Sequence, residues 1–238
     1  MIRHRRSRTQ LARVAGLDFY DWSKEDFVAL SEACRQITCT EEDLLLTIAL
    51  ETGSTFNPAA AFRNASGYPS AIGLNQITSV NASAMGITEA ERLSLLDMTP
   101  AEQLPYVARS FLAARGFKPF PEPPDAVTLY QTNIAPASVG SEIVYVQKEF
   151  PCPPAREAKT AYCANAGLDA DKDGQITRED LRVKLNGFRN GANYQIMLAK
   201  LQASLESREA DGAAGAGAGS GLMIAGALGL GAFAIWGR

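Results

Sequence analysis

No two cysteines in this chain have the C-x-x-C spacing of a zinc or thiol-redox site, although four are present. Cys34, Cys39, Cys152 and Cys163 fall into two local pairs, and either pair suits a disulfide or two buried thiols. Charge of one sign is also missing. Lys and Arg number 23 against 26 Asp and Glu, for a formal net charge of -3, so nothing resembles the basic field that nucleic-acid binding requires. Nucleic acid is therefore not an expected partner. Nor does an apolar run follow the basic start. Arg3, His4, Arg5, Arg6 and Arg8 crowd the amino terminus, and Thr9, Gln10, Arg13 and Asp18 interrupt what comes next, so no cleavable secretory signal is expected. Residues 1–16 read as a basic, flexible tail. Strict two-residue alternation is scarce as well, which makes the expected fold class mainly α.

What remains is helical punctuation. With 238 residues the chain has room for one sizeable domain and appendages. Phe19, Trp22, Phe27 and Leu30 at helical spacing suggest an amphipathic helix within residues 17–33. Thr40-Glu41-Glu42-Asp43 has the form of a capping box, and Leu44 to Leu50 continues apolar on nearly every side, as a helix buried on all faces does. Glu51 ends that run, and Gly53 and Asn57-Pro58 stop the helix. A carboxylate where a core helix opens into a loop sits at the edge of the protein interior, where desolvation raises its pKa. Residues 62–78 are rich in turn formers. There Gly73 lets the backbone pass close to a ligand or a helix, and Gln76 is a neutral hydrogen-bonder able to face a sugar. Further helices are expected over Glu89–Met98, Pro100–Arg115 and Ala126–Thr132.

These residues resemble a known family. The segment 51–58 (ETGSTFNP) is similar to the E-S-x-F-x-P-x-A motif of soluble lytic transglycosylases, and 71–76 (AIGLNQ) to their G-L-M-Q motif, with Asn75 in the methionine's place. Leu129-Tyr130 with Pro136 resembles the later tyrosine-bearing helix, especially that of phage-associated members. The likeness spans about residues 40–145. It implies a lysozyme-like transglycosylase domain over residues 17–150 that cleaves the β-1,4 bond between N-acetylmuramic acid and N-acetylglucosamine. By the same resemblance Glu51 is the expected catalytic acid and base. Ser70, Gly73, Leu74 and Gln76 would line the glycan groove, and Tyr130 would hydrogen-bond the glutamate. Peptidoglycan strands are the expected partner.

A second motif stands apart from the first. Asp169, Asp171, Asp173, the Gln175 carbonyl and Asp180 occupy positions 1, 3, 5, 7 and 12 of a calcium loop, with Gly174 at position 6 where the chain turns. Asp180 replaces the usual glutamate, a shorter arm resembling dockerin-like single loops. Residues 151–205 thus read as an EF-hand-like segment holding a structural Ca2+. Residues 206–220 read as a Gly/Ala linker. Residues 221–238 are almost wholly apolar up to Trp236, which suggests a membrane helix, since a span needs about 20 apolar residues. Together these features suggest a virion or cell-envelope enzyme tied to a membrane through its carboxyl end, with other virion proteins as further partners.

Overall fold

The computed structural model describes residues 11–14, 17–148, 151–153 and 160–218. The expected membrane helix at 221–238 and most of the basic tail lie outside the described residues. Within them the fold is mainly helical, with three small antiparallel sheets. No described helix is long and apolar enough to cross a membrane. Two compact units are present, Met1–Leu201 and Gln202–Arg238, and both the region resembling the transglycosylases and the Asp-rich loop fall in the first.

The first described element is a hairpin, β1 (Leu11–Val14) paired with β2 (Leu17–Tyr20). This corrects the helix expected from residue 17. The helix, α1 (Lys24–Ile37), starts only where Ser23 and Asp26 close a reciprocal capping box. Phe19 and Trp22 are nonetheless buried, in extended chain ahead of that cap. Next comes α2 (Glu41–Glu51), whose residues from Leu44 through Ala49 are all buried.

A three-stranded sheet follows, β3 (Ala61–Arg63), β4 (Pro69–Ile72) and β5 (Ile77–Thr78), in the order β3-β4-β5. It leads into α3 (Ser79–Met85) and α4 (Glu89–Ser94), the latter running into a 3-10 turn at Leu95–Asp97. Arg92, whose side chain is fully buried, ties α4 to the sheet by donating to the carbonyls of Ile77 and Pro69 while paired with Glu89. Helix α5 (Pro100–Ala114) packs along α1, and α6 (Ala126–Ile134) packs on α2.

Two carboxylates set these packings. Asp26 in the first turn of α1 accepts from Ala101 N at the start of α5, at 2.7 Å. Asp43 in the first turn of α2 accepts from Ala126 N at the start of α6, at 3.1 Å. Each satisfies an N–H that its own helix leaves without a partner.

The remainder of the first unit is built around the Asp-rich loop. Strand β6 (Ile143–Val146) pairs with β7 (Gln175–Thr177) inside that loop. The short α7 (Ala161–Ala164) is held by the Cys152–Cys163 disulfide, with Cα atoms 5.3 Å apart, whereas Cys34 and Cys39 are free thiols. Helix α8 (Arg178–Arg189) contacts both α2 and α6. Finally α9 (Ala192–Ala218) buries Tyr194, Met197 and Leu201. It remains helical through residues 206–218, the stretch read as a linker, because alanine has the highest helix propensity and offsets the interspersed glycines.

Gln103 on α5 joins the sheet to the helices. Its Nε2 donates to the carbonyls of Pro58 (2.6 Å) and Leu95 (2.5 Å), and its Oε1 accepts from Leu74 N at 3.0 Å. Replacing Gln103 with Leu strands the Leu74 N–H and the Pro58 carbonyl. Urea denaturation is expected to show a loss of about 2–5 kcal/mol; a loss below about 1 kcal/mol means that water replaces the side chain there.

Candidate functional site

Glu51 is the last residue of α2, and the chain beyond it is tightly built. Thr52 folds its hydroxyl back onto the Ile48 carbonyl (2.8 Å) and accepts from Phe56 N (3.1 Å). Gly53, Ser54 and Phe56 all have left-handed φ, an uncommon conformation for the latter two. The loop holds that shape through outside contacts. Trp22 Nε1 donates to the Phe56 carbonyl at 3.0 Å, Tyr20 N to Thr55 O at 2.7 Å, and Asn193 Nδ2 to Ser54 O at 2.9 Å. The half-buried Glu51 side chain therefore projects from a rigid corner.

Opposite it stands α6. Asp43 meets the start of α6 and Glu51 meets its end, where Asn133 Nδ2 donates to Glu51 Oε1 at 2.5 Å. The two helices thus lie side by side, in the same direction, pinned at both ends. Asn133 also reaches the Asn75 carbonyl (3.3 Å), and Asn75 Nδ2 donates to Asn133 Oδ1 (2.9 Å) and Ser110 Oγ (2.8 Å). Burial pushes the Glu51 carboxyl up to about 7, and the Asn133 amide pulls it back; no other carboxylate contributes.

The other expected groove residues divide. Tyr130 is buried one turn before Asn133, close enough to Glu51 for the carboxylate, after burial itself, to raise its phenol. The hydrogen bond expected from Tyr130 comes from Asn133 instead. Leu74, expected to touch substrate, is fully buried, a core residue whose N–H is taken by Gln103. Gly73 has φ +79°, and a Cβ there would lie 2.6 Å from Gln103 Oε1, so its missing side chain makes room for α5. Gln76, itself left-handed, turns its amide nitrogen to the carbonyls of Gly73 (2.9 Å) and Ala60 (3.4 Å). Ser70 lies on β4 and donates to the Phe62 carbonyl across the hairpin at 3.1 Å.

Asn133 and Ser110 were not anticipated from sequence. One signal was available for Asn133, which lies three residues past Tyr130 and so shares its helix face. Nothing local marks Ser110, which reaches the site only through the packing of α5.

The second motif forms a compact acidic loop. Carboxylate oxygens of Asp169, Asp171 and Asp173 lie within 4.8 Å of one another. Lys172 and Gly174 take the left-handed conformations that curl the chain around them. Burial opposes the charge of Asp169, but hydrogen bonds from Tyr162, Gly174 N and Lys172 N outweigh it and hold the carboxyl below its usual value. Asp180 is engaged within the protein. One of its oxygens accepts from Ala170 N and the other from Thr177, in the capping box of α8, and it is not among the converging carboxylates. Its short arm thus bridges the loop backbone at Ala170 and the cap of α8.

Comparison of the chain with protein-family models, with curated proteins and with solved structures finds no match.

The Glu51 environment has a measurable consequence for stability. Its folded-state pKa lies above the unfolded one, so its contribution is fully present below the ordinary carboxylate range and is lost as pH rises through about 7. The cost at high pH is about 3 kcal/mol at most. Relative to wild type, Glu51→Gln should gain stability between pH 5 and pH 8 in thermal melts. A difference that stays flat across that range means that the carboxyl titrates normally.

Proposed function

We propose that this chain is a peptidoglycan-cleaving enzyme of the lytic transglycosylase type, lysozyme-like in fold, with Glu51 as its acid and base. The observation that carries this reading is a half-buried carboxyl at the end of a core helix, beside an amide donor and without a second carboxylate acting on it, so that burial pushes its pKa up to about 7. A group with that pKa is populated in both protonation states at neutral pH, as an acid that later serves as base must be.

The chemistry needs no other acid. Protonated Glu51 donates to the glycosidic oxygen as the C1–O bond of the muramic acid breaks. The resulting carboxylate, met by Asn133 Nδ2, then takes the proton of that sugar's own C6 hydroxyl, whose oxygen bonds to C1. A 1,6-anhydro end and a free hydroxyl on the leaving sugar result. Hydrolytic glycosidases instead need two carboxylates about 5–5.5 Å or about 6.5–9.5 Å apart, to supply a nucleophile or to activate water. Tyr130, its phenol raised by burial and then by the nearby Glu51, stays neutral through this cycle. The motifs resembling soluble lytic transglycosylases, carried by Glu51, Gly73 to Gln76 and Tyr130, support the same substrate.

The acidic loop suits a structural Ca2+. Asp169, Asp171 and Asp173 would supply hard oxygen ligands, joined by the Gln175 carbonyl, and the ion would offset most of the charge of three crowded carboxylates. Through the apolar residues 221–238, membrane association in a virion or cell envelope completes the reading.

Mass spectrometry of digested peptidoglycan tests the activity. Anhydro-muramoyl ends are expected from the wild type and none from Glu51→Gln. Reducing ends would identify a hydrolase, and an undigested sacculus a non-enzymatic role. For the loop, adding Ca2+ to EDTA-treated protein at about 100 times its Kd should stabilise the fold by about 2–3 kcal/mol. Asp173→Ala should abolish that gain, and an unchanged wild-type melt rules the ion out. Deleting residues 212–238 should release the protein from lipid vesicles if they anchor it.

A further inference from the structure

The polar chain that ends on Glu51 has a direction, and that direction is set away from the carboxylate. Asn133 Nδ2 touches two oxygens, Glu51 Oε1 and the main-chain carbonyl of Asn75. A main-chain carbonyl only accepts, so the Asn133 group between them is its NH2, and Oδ1 points the other way. That Oδ1 accepts from Asn75 Nδ2, which also donates to Ser110 Oγ. Ser110 passes its own proton to the Val107 carbonyl at 2.8 Å. Main-chain acceptors thus pin the chain at both ends, one on the turn after β4 and one on α5.

Asn75 is an awkward residue for a core. It is 1% exposed, and its Oδ1 is buried with no hydrogen-bond partner among the described residues. An orphaned carbonyl works against folding, and an apolar side chain of similar volume would avoid it. What the amide supplies and leucine cannot is a pair of donors. Local rules broken at such a cost concentrate at functional positions.

We propose that Asn75 is a positioning residue whose two donors hold the Asn133 amide with its NH2 group toward Glu51, so that the carboxylate left after proton donation is always met by a donor. The inference rests on Glu51 as acid and base. Its test does not, because the carboxyl can be titrated whether or not glycan is cleaved. The titratable groups around the site are Tyr130 on α6 and, beyond it, Tyr145 on β6. Burial raises both phenols, so they stay neutral through the range of interest.

The experiment is 13C NMR of the full chain labelled at glutamate carboxyl carbons, with the Glu51 signal assigned by its absence in Glu51→Gln. The wild-type midpoint is expected near 7. In Asn75→Leu the Asn133 Oδ1 loses its donor and only the long contact to the Asn75 main-chain carbonyl still orients the amide, so burial acts with less opposition and the midpoint should rise by about one pH unit. Asn133→Leu should give a similar rise, and adding Asn75→Leu to it should give no further one. Ser110→Ala, a smaller change at the far end, should produce a smaller rise and keeps the test alive if Asn75→Leu does not fold. Unmoved midpoints in Asn75→Leu and Ser110→Ala, with Asn133→Leu still raised, overturn the proposal, since the main-chain carbonyl of Asn75 then suffices to orient Asn133. A wild type that cleaves no glycan, yet shows these shifts, removes the catalytic reading and leaves the positioning role in place.

Discussion

Helix α2 has nowhere to go but the centre of the first unit. Leu44, Leu45, Leu46, Ile48 and Ala49 give it a broad apolar surface and Thr47 is buried on the face between them, so it is stable only when α1, α6 and α8 enclose it. Burying each of its large aliphatic side chains contributes about 1.5–3 kcal/mol. The helix ends in a carboxylate. Whatever encloses α2 therefore also encloses part of Glu51, and the raised pKa of that group follows from the same burial that stabilises the helix.

Enclosure alone would leave the carboxylate without a donor and its pKa higher still. The pairing of α2 with α6 prevents both. Asp43 receives the first turn of α6, and eight residues later on α2 Glu51 receives Asn133 from its last turn. A slip of one residue between the helices would break both bonds at once. Because one contact anchors the packing and the other serves the candidate site, structural register and chemical geometry are set by a single constraint.

The region of the acidic loop leans on the same helix. Strand β7 of the loop pairs with β6, and Tyr145 of β6 donates to the Ile134 carbonyl at the end of α6. Arg178, which follows β7, donates to Gln131 and Thr128 on α6 and faces Asp125 at its start. The loop thus lies within one short strand of the helix that carries Asn133. Order in the loop and order in α6 therefore share hydrogen bonds.

The sequence by itself determined the buried helix ending at Glu51, most later helices, the acidic turn at Asp169 to Asp173 and the mainly α class. All are local. Helical periodicity, caps and turn formers act over a few residues and can be read in order along the chain. Only the tertiary structure decided what surrounds the carboxylate. Asn133 replaced Tyr130 as its donor because side-chain length and helix phase matter at a contact 82 residues apart in sequence. Leu74 went to the core, and Gly73 yielded its space to Gln103, because α5 packs against that turn. Asp180 was tied to the Ala170 N–H of the loop and to the cap of α8 because the closed loop brings both within reach of its short arm. Residues brought together from α2, the turn after β4, α5 and α6 share no sequence pattern; their geometry exists only once the core has closed around them.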